Sequence, residues 1–166
     1  ALENFVVTFH GVKSHAAIAP EKGRSALDAA ILSFHAVEML REHVPDDTRM
    51  HYTIRDAGGP PNVVPDITVA EYTLRSYDTD TLDGIVKRFM KILEGAALMT
   101  ETTYEVQRDL PFKGKIPCLT VNDLLMKNAE LENAPVITAP REKTGSTDFG
   151  NVLYEVPGSC IRIAFV

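Results

Sequence analysis

Cysteine is scarce in this 166-residue chain, and long apolar runs are absent. Its two cysteines, Cys118 and Cys160, have neither CxxC spacing nor a neighbouring histidine. That argues against a thiolate metal site and for two buried thiols in a reducing compartment. No apolar stretch approaches the length a bilayer span requires. No charged-then-apolar leader precedes Phe5, so no signal peptide is expected, and a cytoplasmic location without membrane contact follows. Basic residues are scattered and the formal charge is -6, which argues against a nucleic-acid partner. HExxH, His-x-Asp, a Glu-Glu pair, Gly-x-Ser-x-Gly and a phosphate-cradling glycine loop are all missing. A complete hydrolytic centre is therefore not encoded here, and no metal ligands are assigned within the chain. No repeat or low-complexity tract is present.

What is there is a foldable pattern. Hydrophobic residues make up 45% of the chain, enough to bury a core. Residues 4–10 are rich in β-branched and aromatic side chains and read as a strand. A loop with Gly11, Pro20 and Gly23 follows. From residue 24 to 44 the positions Leu27, Ala30, Ile31, Phe34, Val37 and Leu40 recur at helical spacing, and Pro45 ends the helix. Residues 51–55 read as a second strand, and Gly58-Gly59-Pro60-Pro61 as a loop. Residues 68–75 alternate, with Val69, Glu71, Thr73 and Arg75 on one face and Ala70, Tyr72 and Leu74 on the other. Residues 80–98 carry the apolar stripe Leu82, Ile85, Val86, Phe89, Ile92, Leu93 and Ala96, with Thr79 or Asp80 as cap. Residues 102–108 form the fourth strand.

The order βαββαβ predicts an α+β, ferredoxin-like two-layer sandwich over residues 1–110. Its four-stranded antiparallel sheet carries two helices on one face. Residues 111–166 differ in character. A short helix is expected over 120–131, with Val121, Leu124, Leu125 and Ala129 apolar. A polar, Pro-broken stretch reaches Lys143, and a strand-like run spans 160–166. These residues are too few for a core of their own and read as an incomplete α/β segment. Both chain ends look like cuts through a longer protein; a complete small protein with a central last strand is the competing reading.

Four places invite chemistry. His15, in Gly11-Val12-Lys13-Ser14-His15-Ala16-Ala17, lies in a loop of small residues that a reacting group can approach. It could equally satisfy local backbone groups. His10 and His15 are poorly spaced for joint metal ligation. Asn62 follows the double glycine and could present its amide to a ligand, or serve an ordinary turn. Arg75 ends a strand, where its planar fork suits a carboxylate; a solvated arginine is the alternative. Gly145, Ser146, Thr147 and Asp148 could line a polar pocket, or start a helix with Ser146 or Thr147 as cap.

In this order, these segments resemble a known family. They are Phe9-His10-Gly11-Val12-Lys13-Ser14-His15-Ala16-Ala17, Pro20, Gly23-Arg24-Ser25-Ala26-Leu27-Asp28-Ala29, His51-Tyr52-Thr53-Ile54, Gly58-Gly59, Pro61-Asn62-Val63-Val64-Pro65, Tyr72-Thr73-Leu74-Arg75 and Gly145-Ser146-Thr147-Asp148-Phe149-Gly150. The family is the aminoacylase and glutamate-carboxypeptidase group of dinuclear-metal exopeptidases and amidohydrolases. Within it, the nearest resemblance is to the branch of p-aminobenzoyl-glutamate hydrolase subunits and Xaa-Arg dipeptidases. The resemblance implies a lid that makes a homodimer, followed by a return into the catalytic domain. It implies that His15 crosses the dimer to stabilise an oxyanion in the partner's active site. It implies that Asn62 and Arg75 hold a substrate carboxylate or carbonyl, and that residues 145–148 line the pocket. Two divalent ions, zinc or manganese, would activate water in the intact enzyme, with their ligands outside this chain and none bound to it. The implied substrate is an N-acyl amino acid, aminobenzoyl-glutamate or a dipeptide. A non-catalytic dimerisation or regulatory module of the same fold is the alternative.

Overall fold

The computed structural model describes residues 1–135 and 144–162. They form two compact units, one of Leu2–Pro111 and one of Ala1 with the residues from Phe112 onward.

In the first unit, β1 (Leu2–His10) buries every second residue, including Phe5, Val7 and Phe9. The same alternation runs along β5 (Ile67–Arg75), which buries Thr68, Ala70, Tyr72 and Leu74. These strands pair antiparallel from Leu2 opposite Arg75 to His10 opposite Ile67. Beside them lie β3 (Arg49–Asp56), paired with β5, and β6 (Thr103–Arg108), paired with β1. The sheet order is β3-β5-β1-β6, with every neighbouring pair antiparallel. That is the expected split-βαβ topology.

Both helices cover the same face. Tyr72 packs its ring 5.5 Å from Phe34 of α1 (Ala26–Arg41) and 4.9 Å from Phe89 of α2 (Thr79–Thr100). Helix α2 buries Leu82, Ile85, Val86, Phe89, Leu93, Ala96 and Ala97, the expected stripe less Ile92 and extended by one alanine. Its cap is Asp78, one or two residues before the expected cap, whose carboxylate accepts from the Thr81 N–H at 2.7 Å. The Thr81 hydroxyl and then this N–H hold the Asp78 carboxyl below its usual range.

Helix α1 departs further from the expectation. It starts at Ala26 because Arg24 is engaged in a β-bridge with Val12, and Ser25 caps it by accepting from the Asp28 N–H. It ends at Arg41, before Pro45, and residues 42–44 are no longer helical. The buried face is Ala26, Ala29, Ala30, Ser33, Val37 and Leu40, whereas Ile31 is 39% exposed. Small residues let α1 approach the sheet closely enough for a hydrogen bond across the layers. Ser33 Oγ donates to the Ala30 carbonyl at 2.6 Å and lies 2.5 Å from Tyr72 Oη. The tyrosine therefore donates to the serine, and its burial raises its pKa. Tyr72→Phe removes that donor and is expected to destabilise the unit by about 1 kcal/mol in a denaturant titration, without changing the fold.

The open face of the sheet is polar and half-buried. Thr73 Oγ1 donates to Asn4 Oδ1 at 2.7 Å, and Arg55 pairs with Glu71. Strand β3 is an edge, and seven of its eight residues are exposed. On its helix side, Phe34 and Tyr52 stack at 4.3 Å. Arg41 and the Tyr52 hydroxyl both bind Glu38, whose carboxyl is held at about 2 chiefly by the Arg41 bonds.

The second unit contains α3 (Leu119–Leu131) and the short α4 (Phe149–Val152). Of the expected inward positions Ala129 is buried, while Leu124 is 59% exposed. Among its described residues there is little core, as so short a segment requires. The thiols are not buried as expected: Cys118 is half-buried and Cys160 exposed, both free. Residues 160–162 form no strand. The remainder of that expected strand, and residues 136–143 of the Pro-broken stretch, lie outside the described residues.

Candidate functional site

Two very short strands create the site. After β1 the chain enters β2 (Ser14–His15), which pairs with β4 (Val63–Val64) so that His15 lies opposite Val63. The Ala16 N–H then donates to the Asn62 carbonyl at 3.0 Å. Two loops separated by almost fifty residues in sequence are thus joined at the His10 end of the sheet. Their approach depends on glycine. A Cβ on Gly23 would fall 2.5 Å from Ser14 Oγ and 2.9 Å from the Val64 side chain. Gly58 and Gly59 take φ of +92° and +102°, a region side chains resist, and so let the chain turn into Asn62.

His15 has a defined polarity. Its Nδ1 accepts from the backbone N–H groups of Ala17 and Ile18, each at 3.2 Å. A nitrogen accepting two N–H groups carries no proton, so in the neutral ring the proton is on Nε2. His15 is exposed, and among the described residues Nε2 meets no partner. The loop therefore presents a single outward N–H donor. In that tautomer Nε2–H can donate a hydrogen bond to an oxygen. The reading of His15 as a group that satisfies local backbone N–H groups is seen at Nδ1. Long-range ¹H–¹⁵N correlation spectra are expected to show the Nε2–H tautomer. A dominant Nδ1–H tautomer would remove the donor role.

Asn62 shares this end of the sheet, and its side chain is exposed. Arg75 does not. It lies at the opposite end of the nine-residue β5, opposite Leu2, about 26 Å from the His10 end at the rise of a β-strand. Within one chain His15 and Asn62 are brought together, and Arg75 is not. Residues 145–148 lie in the second unit. There Ser146 Oγ donates to the Ala1 carbonyl at 3.3 Å, and Thr147 Oγ1 to Asp148 at 3.1 Å. Asp148, not Ser146 or Thr147, stands at the cap of α4, and it makes no side-chain capping bond. Gly145 and Asp148 are exposed. Among the described residues no three His, Cys, Asp or Glu side chains gather in a way that could hold a metal ion.

Comparison with known proteins decides the family. The family model described as the peptidase dimerisation domain matches residues 2–100. The chain belongs to the peptidase dimerisation domain family. It is 40% identical to a p-aminobenzoyl-glutamate hydrolase subunit of Escherichia coli (strain K12) over 118 residues, covering 70% of this chain and 24% of that protein. It is 30% identical to the Xaa-Arg dipeptidase of Mus musculus over 165 residues, covering 95% of this chain and 38% of that protein. The chain thus spans well under half the length of these relatives. Among solved structures, the aminobenzoyl-glutamate utilization protein from Klebsiella pneumoniae superposes with a TM-score of 0.73 at 26% identity, covering 93% of this chain and 40% of that one. A tripeptidase from Staphylococcus aureus shares the fold with a TM-score of 0.73 at 18% identity, covering 94% of this chain and 41% of that one. The two sequence relatives are hydrolases by name.

Sequence reasoning did not anticipate β2 and β4, because two residues are too few to show a period. It also passed over Arg24 and Glu101, which sit at the same end of the sheet as His15.

Proposed function

We propose that this dimerisation domain serves a metal-dependent amidohydrolase, as a homodimeric lid that carries His15 into the partner's active site. The observation that supports this most is the fixed outward Nε2–H of His15 beside Asn62. A preorganised donor of this kind stabilises the charge that develops on an amide carbonyl oxygen under attack. A regulatory module of the same fold has no use for it.

Topology supports action across the dimer. The first unit joins the rest of the chain at Leu2 and Pro111. Leu2 pairs with Arg75, and Asp109 donates its N–H to Asn4, so both junctions lie at the Arg75 end. His15 and Asn62 are at the far end, away from their own chain's junctions. The edge strand β3 carries the partly exposed apolar side chains Tyr52 and Ile54, and the equally exposed Ile31 lies one helical turn before the Phe34 that stacks on Tyr52, which makes this the edge to cover. Two copies joined through β3 by a two-fold axis perpendicular to the sheet run antiparallel. Each His15–Asn62 end then lies beside the partner's Arg75 end and the partner's junctions. Arg75, remote within one chain, becomes a neighbour of the site across the dimer, where its fork suits a substrate carboxylate.

The described residues do not fit a metal centre, so the zinc or manganese pair is assigned to the remainder of the intact protein. Residues 111–166 are taken as the return into that catalytic part, with residues 145–148 toward its pocket. The substrate class is an N-acyl amino acid, aminobenzoyl-glutamate or a dipeptide. No helix among the described residues is long and apolar enough to cross a membrane, and the free thiols suit the cytoplasm. The intact protein is expected to elute as a dimer and to hydrolyse such amides, losing activity with a chelator and regaining it with zinc or manganese. A dimer inactive on the whole panel in both metals would favour the regulatory module.

A further inference from the structure

Glu101 stands where two local preferences oppose it. It ends α2 in the left-handed region at φ 53°, with its N–H on Leu98 and the Thr102 N–H on Ala97. This is a Schellman cap, whose left-handed position is usually filled by glycine. A carboxylate at a helix C-terminus also faces the negative end of the helix dipole. One contact offsets both. Glu101 Oε2 accepts from Arg24 Nε at 2.6 Å. The same guanidinium donates to the carbonyls of Gly23 at 2.7 Å and Glu21 at 3.1 Å. The Arg24 backbone is in turn bridged to Val12, which donates to it at 2.8 Å and accepts from it at 2.9 Å. Val12 lies two residues before β2, and Gly23 packs directly against Ser14 and Val64.

We propose that Arg24 and Glu101 are positioning residues for the His15 loop, anchoring the β2–β4 platform to the rigid C-terminal end of α2. They touch neither His15 nor a substrate. They fix where Val12 and Gly23 lie, and those two residues locate Ser14 and His15. The functional part of this inference rests on the oxyanion role proposed for His15; the structural part does not.

The test uses Glu101→Gly, because its two effects oppose each other. Glycine suits φ 53° and removes the unfavourable carboxylate, so the melting temperature is expected to stay level or rise. With the anchor lost, backbone amides of residues 12–18 in this chain are expected to exchange about five-fold faster, the scale of a partly exposed ion pair. The His15 ring resonances are expected to shift. In the intact protein kcat is expected to fall about tenfold with KM unchanged, the signature of a misplaced group. Arg24→Ala, which also loses the bonds to the Gly23 and Glu21 carbonyls, should give loop effects at least as large, to which Glu101→Gly adds nothing in the double variant, and Glu101→Gln, which keeps an acceptor, should restore most of the protection. Unchanged exchange and unchanged His15 resonances in Glu101→Gly would overturn the positioning role. Faster exchange and shifted resonances with unaltered kcat would uphold the positioning role and count against the oxyanion role of His15.

Discussion

If the intact protein is the amidohydrolase proposed above, replacing His15 by alanine is expected to lower kcat by about a hundred-fold or more, while dimerisation and bound metal stay unchanged. The reasoning rests on what the ring does in the structure. Nδ1 is committed to two backbone N–H groups, so the side chain is held in one orientation and offers only Nε2–H. A donor that needs no reorganisation during the reaction acts on the transition state more than on the ground state, so the loss falls on kcat and not on KM. Metal content is expected to be unaffected because the metal pair is proposed to be held by the remainder of the intact protein. His15→Gln keeps an outward N–H donor and should recover part of the rate. His15→Phe fills the space without donating and should not.

The second large effect is expected at the sheet edge. A chain carrying both Ile31→Lys and Ile54→Lys should be monomeric in light scattering at concentrations where the parent is a dimer. Ile31 is 39% exposed and Ile54 38% exposed on the flank of β3, so neither supports the core of its own chain to the extent Phe5 or Leu74 does. Each substitution enters a two-fold contact twice. With about 1–2 kcal/mol for each lysine set against apolar surface, the dimer Kd should rise at least about a thousand-fold. The monomer should keep its far-ultraviolet circular dichroism and its cooperative unfolding. In the intact protein it should nevertheless be as inactive as His15→Ala, since a monomer cannot place His15 at its own chain's junctions. A stable, fully active monomer would refute the shared site.

The sandwich was legible in the sequence where period and chemistry agree. Helix α2 shows a stripe from Leu82 to Ala97, about four turns at 3.6-residue spacing, and β5 alternates without a break, so both read directly. Helix α1 was found with Ala30, Val37 and Leu40 buried as expected, but with its inner face turned toward Ala26, Ala29 and Ser33. Leu27 and Ile31 outrank alanine in apolarity, yet Ala26, Ala29, Ala30 and Ser33 face the sheet because only small side chains allow the Ser33–Tyr72 hydrogen bond. Packing distance decides that face, and composition does not report it. Asp78, Thr79 and Asp80 are all competent caps; which one serves depends on where the helix begins. At the site, the residue types in the loops marked His15 and Asn62, but their meeting through β2 and β4 is a tertiary event. So is the separation of Arg75, which follows from strand length and direction alone. Glu101 gave no signal, because a glutamate after a helix reads as a solvated charge until its φ and its arginine are known.

The central claim is that His15 works in the partner's active site, and mixing two dead subunits tests it most directly. One subunit carries His15→Ala with an intact metal centre; the other keeps His15 and is inactivated at its metal centre. Neither homodimer is expected to turn over. After unfolding and refolding together in equal amounts, half the dimers are mixed, and each mixed dimer has one site with working metals facing an intact His15. The account predicts recovery to about a quarter of the parent activity per subunit, the statistical share for a two-fold dimer. A mixture that stays inactive, with mixed dimers demonstrated by native mass spectrometry, would contradict it.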